Sequence, residues 1–193
     1  MTSSGSLVTF ETKRPAPPVE LYRVPHWYAV YTRSNFERQV QERFRRQKID
    51  NWLPLVTRES QWSDRRRRIE WPLFPGYIFG HFDLQRLIQV LSTHGVATVV
   101  SVRGTPVPIP TAEIDSLKAT CEALARTREE PQRAPMLDKG TWVRVVDGPF
   151  AGVRGMVIER RGDRRVLVGV AAIGQAIELN VGVAGLVPDA PPS

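Results

Sequence analysis

The sequence predicts an α+β fold, an antiparallel sheet flanked by helices and followed by a small five-stranded all-β barrel. Three observations predict it. Strand-like and helix-like segments follow one another through the first two thirds of the 193 residues in the order β-α-β-β-β-α-β-β-α. Residues 141–187 carry short β-alternating runs separated by glycine turns, with no helical period. Between them, residues 126–135 are polar and charged, and their two prolines, Pro131 and Pro135, stop the preceding helix. The chain therefore divides into a mobile tail at 1–25, a domain at 26–126, a linker at 127–136 that lets the two units move independently, and a domain at 137–189.

In order, the compact aromatic and β-branched run Trp27–Tyr31 reads as a strand. Ser34 precedes Glu37 by three, the capping-box spacing at a helix start, and Phe36, Val40 and Phe44 then form one apolar stripe. Residues 52–62 and the return through Ile69, Trp71 and Leu73 read as a hairpin with a polar tip at 63–67. Tyr77–Phe82 is a further strand, and Asp83 caps a short helix ending at Leu91. Residues 96–102 read as one strand, Gly104 and Thr105 as a turn, and 107–110 as an edge segment where prolines are tolerated. Thr111 caps a last helix with Ile114, Leu117, Cys121 and Leu124 on one face. The second unit reads as strands at 141–146, 152–160, 165–170, 176–181 and 184–187, with a hairpin turn at Gly162 and Asp163.

Composition narrows the function. No run approaches the ~18 apolar residues that a membrane span needs, and the first 25 residues lack the apolar core of a secretory signal. One cysteine, Cys121, excludes an internal disulfide and a cysteine-based metal cage. A reducing, cytoplasmic setting is the simplest expectation. Residues 137–193 hold seven Lys+Arg and six Asp+Glu, so the other 136 residues keep 20 and 14, and +6 of the net +7 lies there. Such an excess favours association with nucleic acid, although it also serves solubility.

Two segments carry a specific signature. Trp27-Tyr28-Ala29-Val30-Tyr31 with Ser34-Asn35-Phe36-Glu37, and later Pro72-Leu73-Phe74-Pro75-Gly76-Tyr77-Ile78-Phe79, resemble the amino-terminal domain of NusG-family transcription elongation factors. The stretch from Gly140 through Trp142 and Gly148 to Gly152, followed by Gly155-Met156-Val157, resembles the KOW motif of the same family. The resemblance covers roughly residues 26–188. The Pro-rich basic tail, the arginine cluster and residues 70–75 look closer to specialised paralogues of the RfaH kind, which are operon-specific antiterminators. The RfaH-type His-Thr-Thr element is absent around Gln89, Val90 and Leu91, and the β alternation of the second unit gives no sign of a helical alternative fold.

The resemblance implies a transcription elongation or antitermination factor that suppresses pausing or termination. It implies an apolar surface of Tyr31, Phe74, Tyr77 and Phe79 against the clamp helices of the RNA polymerase largest subunit. In a strand, Tyr77 and Phe79 share one face and Ile78 takes the other, so one face is less buried unless helices cover both. Arg65, Arg66, Arg67 and Arg68 lie at or near a hairpin tip between Trp62 and Trp71. They either solvate a loop or reach phosphates, and the resemblance implies upstream DNA. It also places Arg33 and Arg38 toward the non-template strand. Family members use the KOW barrel to bind the termination factor Rho or the ribosomal protein NusE, which here implies Phe150, Ile173, Gly174 and Gln175. The aromatic-Gly-Arg element of that surface is replaced by Ile173-Gly174-Gln175, which weakens the expectation.

No enzymatic activity is expected. His26, His81 and His94 lie far apart, and neither a phosphate-binding loop nor a nucleophile elbow is present in the sequence. Cys121 falls on an apolar helix stripe, where burial is the ordinary role. No cofactor or metal is expected. The alternative is a KOW-containing RNA-binding or ribosome-associated protein.

Overall fold

The computed structural model describes residues 17–62, 65–127, 131–135, 140–160, 163–181 and 185–192, with the backbone alone described at 58–62, 65–68, 135, 159–160 and 163–164. The first unit runs β1 (His26–Thr32), α1 (Glu37–Arg46), β2 (Asp50–Trp52), β3 (Leu55–Trp62), β4 (Arg65–Pro72), β5 (Tyr77–Phe82), α2 (Leu87–Leu91), β6 (Val96–Val99), β7 (Ser101–Val102), β8 (Thr105–Pro106) and α3 (Thr111–Thr127). The second unit runs β9 (Gln132–Pro135), β10 (Thr141–Val145), β11 (Arg154–Arg160), β12 (Asp163–Val170), β13 (Gln175–Asn180) and β14 (Leu186–Pro188).

The central antiparallel sheet has the order β2-β5-β1-β6, with Tyr31 opposite Tyr77 and Ala29 opposite Phe79. Tyr28, Val30, Ile78 and Phe82 pack with Val40 and Phe44 of α1 on one side. Ala29, Phe74 and Phe79 pack with Ile114, Leu117 and Leu124 of α3 on the other. Helices thus cover both faces, which is why β1 and β5 read as nearly unbroken apolar runs rather than as alternation. The β3–β4 hairpin is a separate two-stranded ribbon.

Several expectations shift. Ser34 does not cap α1: the residue before the helix is Phe36, which makes no side-chain capping bond, and Asn35 before it takes a left-handed φ of 64°. Glu37 instead turns inward and accepts the Gly76 backbone N–H at 2.7 Å, and only 7% of it is exposed. Gly76 has φ +83°, a conformation that favours glycine, and its carbonyl accepts the Thr32 N–H at 2.8 Å. The bend after Pro75 is therefore fixed from α1 and β1 together. Asp83 does cap, accepting the Gln85 N–H at 2.9 Å, whereas Thr111 is the first residue of α3 itself. The strand expected at 96–102 breaks at Val100, and Ser101 and Val102 fold onto Thr105 and Pro106. Ile109 forms the expected edge contact by bridging to Trp27.

Part of the expected tail is folded. Residues 19–22 make a 3-10 turn with Leu21 buried, and Gln85 Nε2 donates to the Tyr22 carbonyl at 2.8 Å. Residues 1–16 lie outside the described residues.

The second unit is one antiparallel sheet in the order β14-β10-β11-β12-β13-β9. Its sixth strand, β9, comes from the stretch expected to be a linker, and Gln132–Pro135 pairs with Glu178–Gln175. An edge position accommodates the proline, and Ala134 gains contact with the small cluster of Met156, Leu167 and Ala176. The hairpin turn expected at Gly162 and Asp163 falls partly outside the described residues, with Asp163 already paired to Arg160. The last strand starts at Leu186 rather than Ala184, which lies outside the described residues.

The two units are in contact through α3. Alongside the apolar stripe that faces the sheet, α3 has a second stripe, Glu113, Ser116, Thr120 and Ala123, that is also buried. Ser116 Oγ accepts the Arg154 N–H at 3.1 Å, and Glu113 Oε2 accepts the Ala171 N–H at 3.3 Å, both across the junction. Arg126 donates to the Pro149 carbonyl and Arg133 to the Pro72 carbonyl, each at 3.3 Å. One hydrophobic cluster runs from Phe74, Phe79 and Leu117 into Val145, Phe150, Val153 and Val168.

Glu37 supplies the test of this fold at its bend. Glu37→Ala leaves the Gly76 N–H without its acceptor and should cost about 1–3 kcal/mol, while Glu37→Gln keeps an acceptor oxygen and should cost less. Urea midpoints measure both, and an alanine variant as stable as wild type would contradict the pinned bend.

Candidate functional site

Two strips of surface meet at the start of α1, and a third lies where the β unit meets α3. The first is aromatic. Tyr31 is 44% exposed, and its ring centroid lies 5.1 Å from that of half-buried Tyr77. A Cβ on Gly76 would meet Tyr31 Cε2 at 2.9 Å, so glycine there also leaves room for the tyrosine ring.

The other two residues expected on this surface lie beneath it. Phe74 and Phe79 are fully buried, edge to face with centroids 6.4 Å apart, and Trp52 stacks on Phe79 at 5.8 Å. Lys118 of α3 sits over Trp27 at 5.0 Å and over Trp52 at 6.0 Å, which ties the helix across this layer. The structure therefore brings Tyr31 and Tyr77 together at the surface and gives Phe74 and Phe79 the role of support.

The second strip is the hairpin. Its ribbon pairs Trp62 with Arg65, Gln61 with Arg66, Ser60 with Arg67 and Glu59 with Arg68, so the four arginines occupy strand positions rather than a loop. Their side chains lie outside the described residues. Near the base, Trp71 is 50% exposed. Arg38 reaches from α1 to Glu70 in a 2.9 Å ion pair, with both side chains more than half exposed. Such a pair contributes little stability in water, roughly 0–1 kcal/mol, and it places the base of the hairpin in contact with α1. Arg33 is exposed beside Tyr31.

The third element is the expected partner surface of the β unit. Phe150 is 2% exposed and belongs to the core, so it is unavailable as a surface anchor in this arrangement. Ile173 is half-buried against the same cluster. Gly174 ends the 3-10 turn 171–173 with a left-handed φ of 62°, and Gln175 opens β13. The first residue of that turn, Ala171, is the one that donates to Glu113 of α3. The loop expected to meet an outside protein thus begins at the junction of the two units.

Sequence reasoning missed Glu113, Ser116 and Arg154. The available signal was the spacing of Glu113, Ser116, Thr120 and Ala123, a second helical stripe of small and polar residues that hydropathy alone leaves unmarked. Burial pushes the Glu113 carboxyl up to about 7, against the lowering effect of the Ala171 N–H. Burial likewise pushes the Cys121 thiol up to about 12, which suits a packing residue and not a nucleophile. His81 lies against Trp27 at 4.9 Å and His94 against Phe36 at 5.5 Å, so both imidazoles pack on rings. Among the described residues no group of three or more His, Cys, Asp or Glu could hold a metal ion, and no helix is long and apolar enough to cross a membrane.

Comparison with known proteins agrees with the order of the two units. Residues 25–118 match the family described as transcription termination factor nusG, and residues 139–168 match the KOW motif. The transcription termination/antitermination protein NusG of Vibrio cholerae is 30% identical over 175 residues, covering 81% of this chain and 92% of that protein. The protein of the same name from Escherichia coli is 31% identical over 167 residues, covering 78% and 88%. A solved structure described as a domain interaction in Thermotoga maritima NusG covers 86% of this chain and 97% of that one, at 23% identity and a TM-score of 0.45. These relatives carry the general family name rather than that of a specialised paralogue. With NusG relatives matched along nearly their whole length and a KOW segment in the expected place, the chain belongs to the NusG family of transcription termination/antitermination factors.

Proposed function

We propose that this protein acts by binding, holding the RNA polymerase clamp through the Tyr31–Tyr77 surface and the upstream or non-template DNA through the β3–β4 hairpin, so that pausing or termination is suppressed. The observation that carries this reading is the convergence at α1. Glu37 fixes the bend beside the exposed tyrosine pair, and the next residue, Arg38, holds the base of the arginine hairpin. One short helix start thereby sets the distance between an apolar anchor and a basic ribbon. A factor that bridges a protein and a phosphate backbone needs that rigidity, because binding energy and not covalent chemistry does its work.

The β unit enters the same reading as a second binding module, for Rho or for the ribosomal protein NusE. With Phe150 internal and Ala171 bonded to α3, a partner that needs this loop competes with α3 for it.

Two measurements test the proposal. Tyr31→Ala should weaken retention on core polymerase by about 2 kcal/mol, roughly 30-fold, with an unchanged urea midpoint. Phe74→Ala should instead lower stability by about 3–5 kcal/mol, because the ring is core. A Tyr31 variant that binds like wild type would contradict the assignment. Replacing Arg65, Arg66, Arg67 and Arg68 with serine should reduce the salt slope of bubble-DNA binding by up to about 3.6, at ~0.7–0.9 per lost phosphate contact. Parallel slopes would show that the hairpin never meets the backbone.

A further inference from the structure

We propose that Glu113 is a proton-operated clasp between the two units: with a neutral carboxyl the β unit seats on α3, and ionisation of that carboxyl weakens the seat. The proposal depends on the docked arrangement and not on which partner the tyrosine surface meets.

The geometry is specific. Glu113 lies in the first turn of α3, 7% exposed, and its Oε2 accepts the N–H of Ala171, the first residue of the 3-10 turn after β12. It lines a junction cavity of about 10 Å³, together with Ser116, Trp142, Arg154, Gly169 and Pro192. That space is small, and with Glu113 only 7% exposed a carboxylate there keeps little of its hydration. One backbone N–H is a thin compensation for a buried negative charge, which ordinarily wants a cation or two or three donors.

The charged groups around it do not supply more. Arg154 of β11 is the cation lining this cavity, and its Nε is committed to Asp189 Oδ2 at 2.7 Å. Arg144 of β10 also approaches Asp189, at 4.0 Å. On α3 itself, Asp115 pairs with Lys118 at 3.8 Å, and the 3-10 turn 171–173 carries no titratable side chain. Arg165 and Glu178 pair with each other at 3.5 Å.

The sign follows from the raised carboxyl. The docked state holds the Glu113 proton up to about pH 7, whereas a carboxyl exposed by undocking has its ordinary value near 4.5. The docked state therefore binds more protons in that window. Docking is fully supported below about 4.5, loses support as pH rises toward 7, and levels off above it. Between pH 5 and pH 8 the docking equilibrium should weaken on the order of 50-fold. By linkage, removing the β unit must return the carboxyl to its ordinary range.

That reciprocity gives the experiment, carried out on the full chain. The Glu113 side-chain carboxyl is followed by carbon-13 NMR from pH 3 to pH 9 in wild type and in Thr120→Arg. The variant places a long charged side chain in the buried stripe of α3 and wedges the β unit away. Ser116→Trp, bulky but uncharged so that it adds no cation beside Glu113, serves as a second wedge should Thr120→Arg fail to fold. The proposal predicts a midpoint near 7 in wild type that falls to the ordinary carboxylate range in the wedged chain. An ordinary midpoint in wild type would overturn it. So would a midpoint near 7 in both chains, since burial within the first unit alone would then account for the shift.

Discussion

Burial of α3 on two sides is the constraint on which the remaining architecture depends. Its apolar stripe, with Ile114, Leu117 and Leu124, closes one face of the central sheet over Phe74 and Phe79. Its second stripe, with Glu113 and Ser116, receives backbone N–H groups from the β unit. That second side is built of small and polar residues rather than large apolar ones. The hydroxyls of Thr120 and Thr127 are satisfied within the helix itself. Thr120 Oγ1 donates to the Ser116 carbonyl at 2.7 Å, and Thr127 Oγ1 to the Ala123 carbonyl at 3.1 Å.

The fate of the four aromatic candidates follows from this layer. Phe74 and Phe79 lie under α3, so they shape the surface without forming it. Tyr31 and Tyr77 lie at the end of the β1–β5 pairing, where Gly76 and Glu37 hold the chain. The polar end of a tyrosine tolerates water and its ring offers apolar area, which is the combination that interface anchors use. The bend beside the tyrosine pair is held by the buried Glu37 side chain, which accepts the Gly76 N–H.

Much of this was legible in the sequence wherever one residue's environment is set by its near neighbours. The strand Trp27–Tyr31, the helix stripe Val40 and Phe44, the Asp83 cap and the short strands of the β unit all obey local rules. Glu37 misled because the capping-box spacing is local, while its actual acceptor role is met 39 residues away at Gly76. The stretch 126–135 misled because proline and charge mark a linker, yet β9 gains its order from pairing with β13. The junction was invisible for a similar reason: Glu113 and Ala171 are 58 residues apart, and neither belongs to an apolar pattern.

The central claim is that α3 joins the two units into one body. Nitrogen-15 relaxation of the full chain at pH 6 measures this directly, through the rotational correlation times of residues 26–127 and 141–188. The docked arrangement predicts a single correlation time for both sets, appropriate to a body of the combined mass. Two distinct times, with the β unit tumbling faster, would contradict it.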